Sequence, residues 1–400
     1  MKIRTFIIFI TIVLLAYFIV NYYIFIHGLK AFGTNQTAKL IYTILFVILV
    51  SAYFLGRIIE RISIGVVPQA LEWLGAYWFG AMVYFLLIVI IIDIFRVINH
   101  FIPLIPNDLQ QYLQQLNLIT GIVAVTVVAI ILVIGRWNAT HPQIKIVEID
   151  IQKKAKVETM TVAFASDIHL GLFVGQRQLR QLVELVNANH PDVILFGGDL
   201  LDEDLTPVIH RNLGRCLAEL EAPLGKFTVP GNHEFIGGIE KATQYLENHG
   251  IKVLRDEALQ LANGVWIIGR DDYDSKRYGS DEQRLTLKYL IDKINPDQPV
   301  IVLDHQPLNL SESIANRIDL QLSGHTHNGQ LWPLNYLTAK VYRVSHGYKK
   351  IDGTHFIVSS GFGTWGPPIR LASRAEVYVI KLRFQPDFGD EQYILGNFQY

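Results

Sequence analysis

A single cysteine, Cys216, stands among 400 residues, so an intramolecular disulfide is excluded. That count gives no support for an oxidising compartment, and Cys216 itself reads as a small buried apolar residue on a helix. An excess of charge of one sign is missing too. The chain has 35 Lys and Arg against 36 Asp and Glu, a net charge of −1, which argues against a nucleic-acid surface. Internal repeats and low-complexity stretches are absent. Charge is scarce overall, at 18% of residues, and scarcest before residue 136. Ionisable residues are nearly missing from the apolar runs there, which argues against a transport path through them.

What fills that front part is apolar side chain. The mean hydropathy of +0.28 and the 50% hydrophobic fraction average a membrane part with an ordinary globular part. A bilayer core takes roughly 20 apolar residues as a helix. Runs at about 5–26, 40–55, 74–92 and 118–134 fit four spans, so residues 1–136 form an all-α transmembrane region. Tyr22, Tyr23, Trp73, Trp78 and Trp137 near the run ends suit the lipid–water boundary. The first run is too long for a signal-peptide core and has no small-residue cleavage site after it. Lys2, Arg4, Arg57, Arg61, Arg136, Lys145, Lys153 and Lys154 fall on one side; Lys30, Lys39 and Arg96 fall on the other. The excess places both termini and the large C-terminal part on the cytoplasmic side of the membrane. Asp93 and Arg96 sit at one end of the third run, spaced to pair along a helix. Residues 107–115, rich in Gln, read as a short helix between spans three and four.

Residues 137–157 read as a linker and first strand, and 158–400 as a second domain of alternating strands and helices. Alternation at 144–151 marks a strand. Strands follow at 159–165, 193–196, 226–229, 266–269, 300–303 and 319–322, with later ones at 356–359 and 377–382. Residues 176–189 carry helical spacing through Leu179, Leu182, Val183 and Val186, and 213–220 also read as helix. The late strands with few helices suggest a second mixed sheet packed on the first, with helices outside.

Five of these strands end in a loop with a metal-competent side chain, where open α/β sheets place ligands. The loops are Asp167-Ile168-His169, Gly198-Asp199, Gly231-Asn232-His233-Glu234, Asp304-His305 and Gly324-His325-Thr326-His327. Carboxylate, amide oxygen and imidazole together suit a pair of divalent cations such as Mn²⁺, Fe or Zn²⁺. Two ions about 4 Å apart can clamp a phosphate and supply hydroxide at neutral pH. Asp167 and His169 alternate in direction along a strand, so both face one site only if the backbone bends. Singly each motif is ordinary; jointly they predict a metal-dependent phosphoesterase.

This set of motifs resembles the calcineurin-like metallophosphoesterases over roughly 158–382. The stretches 166–171, 303–307, 324–330 and 363–368 resemble in particular its YkuE/YaeI-type membrane-associated branch. The resemblance implies a four-layer α/β sandwich, two mixed sheets flanked by helices. It implies one ion on Asp167, His169 and His327, a second on Asn232, His305 and His325, and Asp199 bridging. A dimetal-bound hydroxide would then attack phosphorus in line, with His233 on a phosphate oxygen as general acid. Asp304 and Glu234 are expected to orient an imidazole, and Asn328 and Gln330 to line the substrate pocket. Asp271, Asp272 and Asp274 read as a solvated loop, and Trp365 as core or as a contact for an apolar substrate. His190, His210, His249, His346 and His355 read as surface or structural. A membrane tether suggests a lipid-linked or nucleotide-linked phosphodiester or pyrophosphate as substrate; a phosphomonoester and a non-catalytic metal-binding scaffold are the alternatives. Oligomeric state is not legible.

Overall fold

The computed structural model describes residues 3–62, 65–104, 113–278 and 283–385. Lys2 and most of the Gln-rich stretch 107–115 lie outside the described residues. The chain divides into two compact units: residues 1–142 with 329–335 and 363–375, and the remainder.

The first unit holds α1 (Ile3–Lys30), α2 (Gln36–Glu60), α3 (Val66–Phe101) and α4 (Leu113–Thr140). All four are long and apolar enough to cross a membrane. The 36 residues of α3 run about 54 Å at 1.5 Å each, well beyond the about 30 Å of a hydrocarbon core. Gly75 of α3 lies against the Tyr53 backbone and Gly56 of α2 against Glu72, the small-residue approach that lets apolar helices meet. Asn21 fills the bundle interior, accepting from Trp78 Nε1 at 2.9 Å. Asp93 pairs with Arg96 as its spacing predicts, at 3.0 Å, and also accepts from Tyr23 and meets His27.

Two segments from late in the sequence complete this unit. Leu331 and Ile369 are buried with Ile24, Phe46, Trp78 and Tyr84. Ile369 reaches Gly80 and Gly135, where an added Cβ would meet its carbons at 2.6 and 2.9 Å. Arg370 is fully buried; it donates to the Gly363 carbonyl, while its own N–H donates to Gly135.

The second unit is a four-layer α/β sandwich. One sheet runs in the order β1-β12-β2-β3-β4-β5, the other β10-β11-β9-β8-β7-β6. Their strands are β1 (Gln143–Lys154), β2 (Thr159–Ala165), β3 (Val193–Phe196), β4 (Lys226–Thr228), β5 (Lys252–Val253), β6 (Glu257–Gln260), β7 (Trp266–Gly269), β8 (Val300–Leu303), β9 (Leu320–Ser323), β10 (Gly347–Ile351), β11 (Thr354–Val358) and β12 (Glu376–Gln385). β2, β3 and β4 pair in parallel, as do β7, β8 and β9. β3, covered on both faces, is Val-Ile-Leu-Phe and wholly buried. β1 faces water on one side and alternates. Phe164, Leu195, Ile267, Ile301, Leu322 and Ile380 fill the layer between the sheets. α5 (Gln176–Asn187) buries Leu179, Leu182, Val183 and Val186 against the outer face of the first sheet. The predicted helix at 213–220 is shorter, Gly214–Ala218, with Leu213 in the turn before it and Leu220 beyond its end. β5, β6 and β10 were not foreseen; their two to five residues are too short for periodicity to register.

Candidate metal centre

Parallel pairing sends β2, β3 and β4 of one sheet, and β8 and β9 of the other, to a common edge. The loops leaving those strand ends carry all the expected ligands. Each sheet supplies part of the set: Asp167, His169, Asp199 and Asn232 from the first, His305, His325 and His327 from the second.

The backbone solves the alternation problem by left-handed turns. Asp167 and His169 both have φ near 50°, as does Asp199, and His325 and His327 have φ of 69° and 47°. Non-glycine residues reach this region at a cost of order 1–3 kcal/mol each, and such strain concentrates at functional sites. The loops are also tight. A Cβ on Gly198 would lie 2.7 Å from His305 Nδ1, one on Gly231 would overlap Asp199 Oδ1, and one on Gly324 would overlap Asp167 Oδ2. Glycine is required at these places by the close approach of the ligand next to it.

The donor atoms converge. His169 Nε2 lies 3.1 Å from His327 Nε2, and His327 Nε2 lies 3.4 Å from Asp167 Oδ1. His325 Nδ1 lies 3.0 Å from Asn232 Oδ1 and 3.3 Å from His305 Nε2. Asp199 Oδ2 is 3.2 Å from His305 Nε2 and 3.9 Å from His169 Nε2, so it stands between the two groups. Among the described residues, four groups could hold a cation: Asp167 with His169 and His327, Asp199 with His305 and His325, and two that include His233, with His169 and Asp199 or with Asp202 and Glu203; the first two match the expected sets.

Backbone groups fix which atoms are free. The His233 N–H donates to Asp199 Oδ1 at 2.9 Å, leaving Oδ2 to the centre. The His325 N–H donates to the Asp167 carboxylate. His305 Nδ1 is 2.7 Å from the Gly197 carbonyl oxygen, which can only accept. That nitrogen therefore carries a proton, and Nε2 is the ring atom that faces inward, toward Asp199 Oδ2.

The electrostatics call for positive charge. Burial, with Asp199 beside it, pushes Asp167 up to about 6. Despite burial, Asp199 holds His305 well above the usual imidazole range. Burial and the neighbouring His233 push His169 down to about 4, and burial and His305 push His325 down to about 3. Neutral imidazoles whose lone pairs face one another and a carboxylate fit divalent cations, which meet the demand for positive charge without a proton.

His233 is turned differently. Its Nδ1 lies 3.0 Å from Asp202 Oδ1 and its ring stands edge-on to His169, 4.5 Å between centroids. Burial would lower it, but Asp202, Asp199 and Glu203 raise it to about 9. Asp202 was missed in the sequence; its one signal is its place three residues after Asp199 in the same loop.

Several neighbouring expectations are corrected. Glu234 touches no imidazole. It accepts from the N–H groups of Asp199, Leu201 and Gly231 at 3.1, 3.0 and 2.8 Å, tying two ligand loops together. Asp304 turns away to Arg284. Gln330 is buried in the first unit, with its amide bonded to the Trp365 and Pro367 carbonyls. Asp271 and Asp272 are buried, not solvated: Asp271 pairs with Arg255, and Asp272 accepts from Gln306 beside His305. His346 bonds Glu376 and His355 bonds Tyr348, both structural. Trp365 is exposed.

A double-sheet α/β hydrolase with a buried carboxylate–imidazole cluster able to hold metal is the class that this fold and site define. Residues 160–329 match the model of the calcineurin-like phosphoesterase family. An uncharacterized metallophosphoesterase of Aquifex aeolicus is 34% identical over 241 residues, covering 59% of this chain and 89% of that protein. One from Campylobacter jejuni is 28% identical over 388 residues, 94% of this chain and 99% of its own length. A transmembrane protein with metallophosphoesterase domain from Bos taurus is 32% identical over 278 residues, 66% of this chain and 62% of its own. The chain belongs to the calcineurin-like metallophosphoesterase family: it is a hydrolase of phosphoric esters and a membrane protein.

Proposed function

We propose that this protein cleaves a phosphodiester or pyrophosphate bond in a lipid-linked or nucleotide-linked substrate. It would do so from a catalytic part, residues 158–400, that the spans of residues 1–136 hold at the cytoplasmic face of a bacterial membrane, with 137–157 joining them. The observation that carries the reading is Asp199 Oδ2 standing between two donor sets. Asp167, His169 and His327 would hold one divalent ion, Asn232, His305 and His325 a second, with Asp199 shared. Mn²⁺, Fe and Zn²⁺ all suit these ligands. Such ions, when bound, supply Lewis acidity toward phosphoryl oxygens and lower the pKa of water.

The protein's own groups have distinct tasks. His233 is raised to about 9, so it is cationic at neutral pH. It would bind a phosphate oxygen and hand a proton to the leaving oxygen. Asp202 fixes its Nδ1–H and so aims Nε2. Glu234 holds the Asp199 and Asn232 loops in register.

The test is hydrolysis by the purified chain with added Mn²⁺. The panel holds a chromogenic diester, a chromogenic monoester and a nucleotide-linked lipid sugar, with Asp199→Ala as control. Turnover of the diester or the sugar by wild type alone is expected. Preference for the monoester overturns the bond type, and bound metal without any turnover favours a scaffold. An alkaline-phosphatase fusion at the C-terminus should stay inactive; an active fusion overturns the cytoplasmic placement.

A further inference from the structure

The chain enters the apolar interior of the helical unit at Leu331, which is buried among residues of α1 to α4. It then emerges with its large side chains bare. Trp332 is 50% exposed and Leu334 39%. The helix Asn335–Val341 that follows buries no residue at all, and its Tyr336, Leu337 and Val341 are 60%, 58% and 69% exposed. Trp365, on the other segment that completes the helical unit, is 59% exposed. Residues 328–339 carry no charge, and Lys340 ends the stretch. The segment around Trp365 holds Arg370, but that side chain is fully buried and bonded to Gly363.

Water is a poor partner for this surface. Five large apolar or aromatic side chains bare within residues 332–341, with no charge among residues 328–339, mark an interaction site, and Trp365, whose N–H donates to Gln330, is a sixth exposed aromatic or apolar residue. Trp and Tyr with Leu, closed by a Lys able to extend past them, are the composition of the lipid–water boundary. The occupant is argued from continuity: Trp332 follows directly on a residue buried in the core of four membrane-length helices. We propose that residues 332–341, with Trp365, lie in the interfacial layer of the bilayer, and that the surface presents phosphoesters still resident in the membrane. His327, a ligand of the centre, is only five residues before Trp332. The class of substrate is an amphiphile whose acyl tail stays in lipid while its phosphoester reaches the metal centre; this part rests on the reading under Proposed function.

The test uses the full chain in lipid nanodiscs. Spin labels are placed at Trp332→Cys and Leu337→Cys, with exposed Tyr289→Cys as the aqueous reference; Cys216 is buried. Relaxation by oxygen should exceed relaxation by a water-soluble nickel chelate at 332 and 337, and the order should reverse at 289. The same order at all three positions as at 289 overturns the proposal. Spin–spin broadening at 332 and 337 would mark a second copy as the occupant and also overturn it. Separately, Leu337→Asp should leave turnover of a soluble chromogenic ester within about twofold of wild type and slow a vesicle-borne phospholipid ester by about tenfold or more. Equal loss on both overturns the substrate assignment. Immersed labels without hydrolysis of either ester by wild type sink the catalytic reading and leave the surface standing.

Discussion

Replacing Glu234 by Gln changes one atom and should still damage the centre. The carboxylate offers two acceptor oxygens to three buried N–H groups, those of Asp199, Leu201 and Gly231. Burial and the Asp199 charge push the group up to about 7, so its charge is costly and only those donors justify it. Glutamine keeps one oxygen. If that oxygen serves Asp199 and Gly231, its amide NH₂ faces the Leu201 N–H, donor against donor. Each stranded buried donor costs about 1–3 kcal/mol. Relief of the buried charge offsets part of this, leaving a net loss of about 2–4 kcal/mol. In a unit of this size that lowers Tm by roughly 5–10 °C. The disturbance falls on Asp199 and Asn232, so metal content should fall with stability. Differential scanning fluorimetry in detergent and elemental analysis of the same samples measure both. A variant with unchanged Tm and a full metal complement would refute the clamp.

Gly231→Ala places a Cβ onto Asp199 Oδ1. It should cut bound metal and turnover by more than tenfold, roughly 1.4 kcal/mol or more. Normal metal content would show that the loop can yield. His233→Ala should keep its metal yet lose about 10²–10⁴ in rate; loss of metal would make His233 a ligand instead. Glu376, with 1% of its side chain exposed, meets His346, Lys145 and the Ser360 N–H. Burial opposes its charge, but His346 and these partners hold it at about 2, below its ordinary 4.5. A depressed carboxyl stabilises above its unfolded pKa, and that contribution is lost as pH falls from 4.5 toward about 2. The stability gap between wild type and Glu376→Gln should therefore be on the order of 3 kcal/mol near pH 6 and shrink through that window. A pH-independent gap in chemical denaturation would contradict the pairing.

Local patterns made much of this molecule legible. β2, β3, β7 and β8 have the bounds read from the sequence; for β3 and β8, wholly buried and wholly apolar, the reason is that strands covered on both faces favour uninterrupted apolar side chains. The ligand loops could be seen because metal-competent residues at five strand ends are rare by chance. The polar neighbours were misread because their partners are distant in sequence. Asp304 pairs with Arg284, Asp271 with Arg255, and Gln330 with a loop 35 residues away. No spacing rule registers such pairs.

By itself, then, the sequence determined the apolar helices, the mixed-sheet second part and the identity of the candidate donor residues. Each follows from local composition: apolar length, periodicity, and a side chain placed just after a strand. Only the tertiary structure decided how those donors meet. The left-handed turns at Asp167, His169, Asp199, His325 and His327 aim side chains from two sheets at one point. Asp202 becomes the partner of His233, and Glu234 a clamp on backbone rather than on imidazole. The structure also carried Leu331 and Ile369 into the interior of the helical unit and left Trp332 and Trp365 bare beside them. Backbone handedness, close approach and burial depend on which distant segments pack together, and no single stretch of sequence contains that information.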